Sequence, residues 1–546
     1  MCLKDSESRL CHGALAALIA LGAIIRLVQF LQRPSLSVDE AMLALSIGSR
    51  SYGGLVRSLD YDQAAPFLVL WGTRLITRLG GVNEFALRAL PLAAGLALPV
   101  VMWRVARRLL DEPAALLCAA LAACSPFLVR FSIVAKSYEI DAFVAAVLAA
   151  CALDTAAAPQ SPTTWRRLLF AGAAGLAISI PAVFTLAGVG LALVLAPSVR
   201  TTPGARWRLA AVAAVWAAAF TPLYFGLYRR AAASPFMQEF WSATFLGPDS
   251  PDLPARLWRS AQLEIFPIVV GNKVPVISTV LFSGLAAAGL RAIGRDHARW
   301  GLALVAAPIT ATFAASALHR YPIAARTLLF TAPLLIVILI AGLRWVAALL
   351  PRPLEAWTLG GVGAVWVATA TVIAVTKPEY APHVRPLIEE FERTGGGAEP
   401  VYVFVGGVPT WTFYTTDWAA PDTARLRAIA SAAQPSGPIF RQHREDLVFT
   451  YRGRREIIGN ATGMRIRYWT GVTPARPDSG WAEHEAARIR AEAQPDVWLF
   501  FEAYFREPVV NDLLNALERA GGRRVRARAA WEAKLYQYRF DGRPGP

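Results

Sequence analysis

The chain has 546 residues, of which 55% are hydrophobic and only 17% charged, with a mean hydropathy of +0.40. That composition excludes an ordinary soluble protein. The formal net charge of +16 is lodged in the first 376 residues, with 31 Lys/Arg against 18 Asp/Glu, while the remainder has 24 against 21. Such a bias suits short cytoplasmic loops and excludes nucleic-acid binding, which needs a basic face on a soluble domain.

Lys4 and Arg9 precede an apolar run, Ala14–Leu31. No small-residue cleavage site follows, so it reads as a retained first helix. Apolar stretches of the roughly 20 residues needed to cross a bilayer core then recur as far as Val375. Between them lie five basic clusters: Arg104/Arg107/Arg108, Arg166/Arg167, Arg200/Arg206/Arg208, Arg291/Arg295/Arg299 and Arg344/Arg352. If all five face the cytoplasm, each neighbouring pair is separated by two crossings. About eleven transmembrane helices result, at 14–31, 86–108, 113–131, 137–155, 166–180, 182–198, 208–228, 266–290, 299–317, 324–345 and 354–376. The N-terminus is then inside and the C-terminal part outside. The uncharged stretch Leu168–Val199 must turn near Ser179–Pro181 to hold two of these helices. Residues 64–79 are apolar but carry Arg74 and Arg78, and read as an amphipathic helix at the outer interface. The first external loop, 32–87, therefore contains two short interfacial helices. A second large external loop, 229–266, is rich in aromatics and prolines.

From residue 377 the composition changes to that of a soluble α/β domain, 377–546. Pro400–Val405 and Asp496–Glu502 read as buried strands, Ala533–Phe540 alternates like an edge strand, and Pro386–Arg393, Trp481–Ala493 and Val509–Ala520 read as helices. Gly395–Gly397 precedes a strand, and Gly406-Gly407 lacks the full dinucleotide-binding pattern. Asn460-Ala-Thr462 matches a glycosylation acceptor triplet, a match frequent by chance. This domain is expected to cover the active site or bind an acceptor. All five cysteines (Cys2, Cys11, Cys118, Cys124, Cys151) lie in the first 151 residues without metal-ligand spacing, and read as small membrane-core residues.

Three clusters carry the chemistry. Asp39 and Glu40 follow the first helix at the outer surface, where adjacent carboxylates are costly to desolvate. A helix start would account for them equally well, since Ser37 and Asp39 both suit an N-cap. Lys136, Tyr138, Glu139 and Asp141 fall at a second outer junction, and His319, Arg320 and Arg326 at a third. Lys136, Arg320 and Arg326 run against the positive-inside bias and are candidates for holding an anion such as a lipid phosphate. Tyr138 and Trp241 could stack on a sugar ring or pack against lipid.

These segments resemble the GT-C glycosyltransferases, specifically the bacterial group related to protein mannosyltransferases and to lipopolysaccharide-core and aminoarabinose transferases. Asp39-Glu40 matches the acidic motif of the first external loop. Asp62–Arg88, with Ala65-Pro66-Phe67, Gly80 and Arg88, resembles the proline-containing segment and its Gly…Arg signature. Ser132–Asp141 resembles S-x-E-x-K-x-Y-x-x-D, with Val134 standing where the family has Glu. Ser179–Phe184 and Tyr321–Pro333 fit the later helices. The resemblance implies a GT-C-like membrane domain, 1–376, in a bacterial cytoplasmic (inner) membrane. It implies transfer of a sugar from a polyprenyl-phosphate donor to a hydroxyl of a cell-envelope glycan, lipid or protein on the outer face. Asp39 would be the general base and Glu40 would orient the acceptor or join a divalent ion. Lys136, Arg320 and Arg326 would stabilise the departing phosphate, with Arg88, Tyr138, Asp141, Trp241 and His319 also contacting substrate. Some relatives need Mg²⁺ or Mn²⁺ and others do not, and the sequence does not decide between them. One-step attack implies inversion at the anomeric carbon. The rival reading is a transporter or flippase of a lipid-linked sugar. It would favour two similar halves, which are not apparent here.

Overall fold

A computed structural model describes residues 2–541 except 249, 251, 272–273, 377–382, 395–397, 435–441, 444–445, 461–479 and 503–506. The Gly395–Gly397 run and Ala461-Thr462 of the acceptor triplet lie outside the described residues.

The first part is helical. Its principal helices are α1 (Cys2–Leu31), α2 (Val38–Ser49), α3 (Phe67–Gly80), α4 (Glu84–Leu109), α5 (Glu112–Cys124), α6 (Tyr138–Ala157), α7 (Pro162–Ile178), α8 (Ala182–Leu195), α9 (Ala205–Leu223), α10 (Val276–Ala317), α11 (Ala332–Ala347) and α12 (Gly363–Thr376). Among the described residues seven helices are long and apolar enough to cross a membrane, counting the 42-residue α10 once. Backbone angles at Ala298 (φ 51°, ψ −156°) break α10 into two legs. Each of the eleven expected segments then contains helix. The turn at Ser179–Pro181 separates α7 from α8 as anticipated. Some boundaries differ: α5 ends at Cys124 rather than 131, α11 begins at Ala332 rather than 324, and α10 begins at Val276 rather than 266, because Pro267 starts only a single turn that Gly271 (φ 86°) ends. Helices α10 and α11 cross closely at two glycines. A Cβ on Gly289 would fall 1.9 Å from the Ile338 carbonyl oxygen, and one on Gly342 equally near that of Leu285. Small residues of this kind let membrane helices approach to backbone contact.

The segment between α1 and α4 holds α2, α3 and two short turns at Tyr52–Leu55 and Asp60–Asp62. α3 buries Val69, Leu70, Thr73 and Thr77 while leaving Leu75 and Leu79 exposed. Its arginines turn toward the loop: Arg74 donates to the Gly48 carbonyl and Arg78 lies over the Tyr52 ring.

The C-terminal part is an α/β/α sandwich. Its six-stranded mixed sheet comprises β1 (Val401–Val403), β2 (Leu447–Tyr451), β3 (Arg454–Ile458), β4 (Asp496–Glu502), β5 (Gly522–Ala530) and β6 (Ala533–Phe540), in the order β2-β3-β1-β4-β6-β5. β1 runs parallel to β3 and β4, and the other pairings are antiparallel. Alternate side chains of β1 and β4 enter opposite cores, as the two-residue strand period requires. Val401, Val403, Trp498 and Phe500 pack with α13 (Val384–Arg393), α14 (Val408–Thr415) and α15 (Thr423–Ala432). Tyr402, Val497, Leu499 and Phe501 pack with α16 (Trp481–Glu492) and α17 (Glu507–Arg519). Ala533–Phe540 is not the edge strand expected. β5 takes the edge, with exposed Arg523, Arg524, Arg526 and Arg528, a charge pattern that blocks further strand pairing. β6 lies inside it and is almost wholly buried.

The two parts meet at α2. Its residues Val38 and Glu40–Gly48 are all buried, and Ala41–Leu45 and Ile47 share one apolar cluster with Phe413, Leu426 and Ala430 of the sheet domain. A Cβ on Gly48 would fall 2.3 Å from the Trp418 ring. Polar contacts reinforce the seam. Tyr414 and Arg385 both donate to Glu84 Oε1, at 3.0 and 2.8 Å, and the Leu36 amide donates to the Tyr414 hydroxyl at 2.7 Å.

Candidate active site

The acidic pair divides into two different environments. Ser37 caps α2, its hydroxyl accepting from the Glu40 amide while Glu40 Oε2 accepts from the Ser37 amide at 3.0 Å, a reciprocal capping box. Glu40 is buried, and its other oxygen accepts from Arg88 Nε at 2.9 Å and from the Ala135 amide at 2.7 Å. Arg88 is only 2% exposed and spends its remaining donors on the Pro34 and Ser35 carbonyls and on Glu40 Oε2. Burial would push the Glu40 carboxyl pKa up, but Arg88 and the backbone amides hold it below the usual range.

Asp39, one residue earlier, points the other way. Its carboxylate is about a quarter exposed and accepts from Arg326 Nη1 at 2.9 Å. Desolvation alone would raise its pKa, yet the charges of Arg326 and Lys136 hold it below the ordinary carboxylate value. Lys136 Nζ donates to Gln63 Oε1 at 2.6 Å, and burial brings the ammonium pKa down to about 8 despite the pull of Asp39. Gln63 follows two consecutive residues in the left-handed region, Tyr61 (φ 58°) and Asp62 (φ 51°). Non-glycine residues rarely sit there without tertiary support, and here the turn delivers an acceptor to Lys136.

Phe240 and Trp241 close over Arg326. The guanidinium lies 4.8 Å from the Trp241 ring and 5.8 Å from that of Phe240, which meet each other edge to face at 4.7 Å. The segment carrying Arg326 is pinned through the Ile323 amide to the Thr244 carbonyl at 3.1 Å and through the Ala325 amide to Glu264 Oε2 at 2.7 Å. Burial raises the Glu264 carboxyl pKa, which Ala325 and Arg326 partly offset.

Of the residues singled out in the sequence, Asp39, Lys136, Arg326 and Trp241 thus gather around one point. Tyr138 starts α6 with its ring edge-on to Phe131 at 5.2 Å. Asp141, one turn on, is buried and accepts from Ser137 Oγ at 3.3 Å. Glu139 does not face Asp39: it is buried 3.8 Å from Arg26 of α1, in a space that Gly95 keeps open. His319 and Arg320 are exposed, in a turn where His319 (φ 52°) stacks on Phe245 at 5.1 Å. Arg88 and Glu40, expected to contact substrate, are buried and bind each other. The sequence reading missed Gln63 and Glu264. Gln63 sits beside the quoted Ala65-Pro66 segment, whereas Glu264 had no local signal.

The pair Asp39/Glu40 does not suit a divalent ion, since both oxygens of Glu40 are committed to N–H and O–H donors and Arg326 already sits on Asp39. Among the described residues one group, Asp446, His484 and Glu485, brings three ligand atoms within 4.8 Å of one another. Arg488 pairs with Asp446 at 3.2 Å and with Glu485 at 2.6 Å, so one guanidinium already offsets part of the negative charge there.

Residues 64–225 match the family model described as dolichyl-phosphate-mannose-protein mannosyltransferase. Over nearly its whole length the chain superposes on the crystal structure of ArnT from Cupriavidus metallidurans in the apo state, with TM-score 0.52 and 14% identity across 96% of this chain and 98% of that one. The chain therefore has the fold of that crystal structure. ArnT bound to undecaprenyl phosphate gives TM-score 0.53 at the same identity and coverage. No curated protein sequence matches. The helical part and the sheet domain behind it therefore recur together in the ArnT fold.

Proposed function

We propose that this protein is a glycosyltransferase that moves a sugar from a polyprenyl-phosphate donor to an acceptor hydroxyl, at the outer face of a bacterial cytoplasmic membrane. The observation that carries the reading is the cluster Asp39–Arg326–Lys136, where a solvent-accessible carboxylate touches one cation and feels another. The family match over residues 64–225 and the undecaprenyl phosphate held by ArnT support the donor class.

In this reading the Asp39–Arg326 ion pair is a resting state. The donor phosphate competes for Arg326 and for Lys136, and as it takes them Asp39 is released and becomes the stronger base. The acceptor oxygen attacks C1 while Asp39 removes its proton. The C1–O bond to phosphate breaks, its electron pair leaves with the polyprenyl phosphate, and Lys136 and Arg326 meet the growing negative charge. Attack opposite the leaving group inverts the anomeric centre. Trp241 walls the phosphate side. Glu40 and Arg88 are positioning residues that fix where α2 begins and so where Asp39 points. The sheet domain holds the same helix from outside.

The test is release of polyprenyl phosphate from a panel of polyprenyl-phosphate sugars by membranes carrying the protein, with native cell-envelope extract as acceptor. Turnover of one donor is expected. Inert donors, combined with a lipid-linked sugar changing leaflet in reconstituted vesicles, would establish transport instead.

A further inference from the structure

A second charged site lies across the membrane from Asp39. Helix α4 starts beside the Glu40–Arg88 pair and ends at Leu109; the twenty residues from Arg88 to Arg108 span about 30 Å. At that far end two adjoining cavities of about 750 and 340 Å³ share Arg104, Ala150 and Asp154. Arg104, Arg107, Arg108, Arg166 and Arg167 line them, and Asp154 is the one acidic residue in their walls. Asp154 receives Arg108 at 3.0 Å and Arg104 at 3.5 Å, which leaves the cleft strongly positive. Arg166 and Arg167 have no acidic partner among the described residues. The first turn of α7 opens here too, at Thr163, without a side-chain cap, so its amide dipoles add to the positive potential. The rest of the lining is apolar: Val101, Val147 and Ala171, with Phe170 67% exposed.

We propose that this cleft binds the phosphodiester headgroup of an anionic phospholipid, in the leaflet opposite Asp39, with its acyl chains along Val101, Val147 and Phe170. Five guanidinium groups against one carboxylate call for an anion. The apolar wall at the ends of membrane-spanning helices calls for one that carries hydrocarbon. The proposal is independent of the transferase reading, because it uses none of that site's residues.

The test titrates the full-length protein in detergent with phosphatidylglycerol, phosphatidylcholine and inorganic phosphate, counting bound lipid by native mass spectrometry. Three variants are compared with wild type: Arg104→Gln/Arg166→Gln/Arg167→Gln, the double Arg166→Gln/Arg167→Gln, and the control Arg200→Gln/Arg206→Gln. At about fivefold per arginine, phosphatidylglycerol binds the triple variant roughly a hundredfold and the double roughly 25-fold more weakly, while the control binds like wild type. Phosphatidylcholine distinguishes none of them. The double variant removes only exposed, unpaired side chains, so its fold is not at stake. Equal phosphatidylglycerol affinity in the double variant and wild type overturns the proposal. So does inorganic phosphate displacing the lipid with the same arginine dependence, which would make the cleft a soluble-anion site.

Discussion

Lys136 offers a pH test of the reaction centre. Its ammonium pKa is brought down from 10.5 to about 8, chiefly by burial. A depressed lysine pKa means that the positive charge is present below that value and lost as pH rises through it. The group is roughly nine-tenths charged at pH 7 and one-tenth at pH 9. If that charge receives the donor phosphate, kcat/KM for the donor, which reports free-enzyme ionisations, falls about tenfold from pH 7 to pH 9. The kcat limb lies at higher pH, because bound phosphate favours the charged amine. Asp39 does not contribute to this limb, since its carboxyl is held below the ordinary value and stays ionised throughout. Lys136→Arg keeps its charge across the range and flattens the alkaline limb, whatever it does to the absolute rate. The assay is the initial rate of polyprenyl phosphate release at limiting donor from pH 6.5 to 9.5. A limb of unchanged slope in Lys136→Arg would refute the assignment, as would kcat/KM rising through pH 8 in wild type.

Other outcomes follow from the same geometry. Asp39→Asn lowers kcat by at least about a hundredfold, as loss of a general base does, without raising donor KM, because Arg326 no longer has a competing carboxylate; a change confined to KM would speak against the base. Glu40→Gln and Arg88→Met each destabilise the protein by about 3–5 kcal/mol as a buried ion pair is broken, and the double variant loses much less than the sum, read from thermal unfolding in detergent. Fully additive losses would show that the two side chains act separately. Gly48→Ala overpacks the seam against Trp418 at a cost of about 1–3 kcal/mol and lowers turnover, and adding Trp418→Ala restores it. A double variant no better than Gly48→Ala would place the effect elsewhere.

The helical segments were legible because apolar length acts locally along the chain, as the turn at Ser179–Pro181 shows. β4 emerged with its boundaries intact because Asp496–Glu502 is a continuous buried run. The β2–β3 hairpin was missed. Arg454 and Glu456 are buried polar residues inside β3 that interrupt its apolar pattern, and the turn rests on Arg452 and Gly453, both at positive φ. The edge assignment failed because β5, whose arginines resemble a solvent loop, covers β6 from outside. At the site, the two carboxylates take different surroundings: Asp39 meets Arg326, and the helix start falls to Glu40. Glu40 serves the capping box, whose Ser37-x-x-Glu40 spacing was present in the sequence. Its burial, however, depends on Arg88 and Ala135, 48 and 95 residues away. Asp39's partner Arg326 lies 287 residues distant.

The lodging of α2 between membrane helices and the sheet domain has a consequence for biosynthesis. Asp39 leaves the ribosome well ahead of the wall formed by Phe413, Trp418 and Leu426, which emerges more than 370 residues later. The helix that aims Asp39 therefore settles only after every membrane segment has been inserted and most of the sheet domain has been translated. A chain truncated before α14 carries all the charged groups of the cluster and lacks the surface that holds them in register.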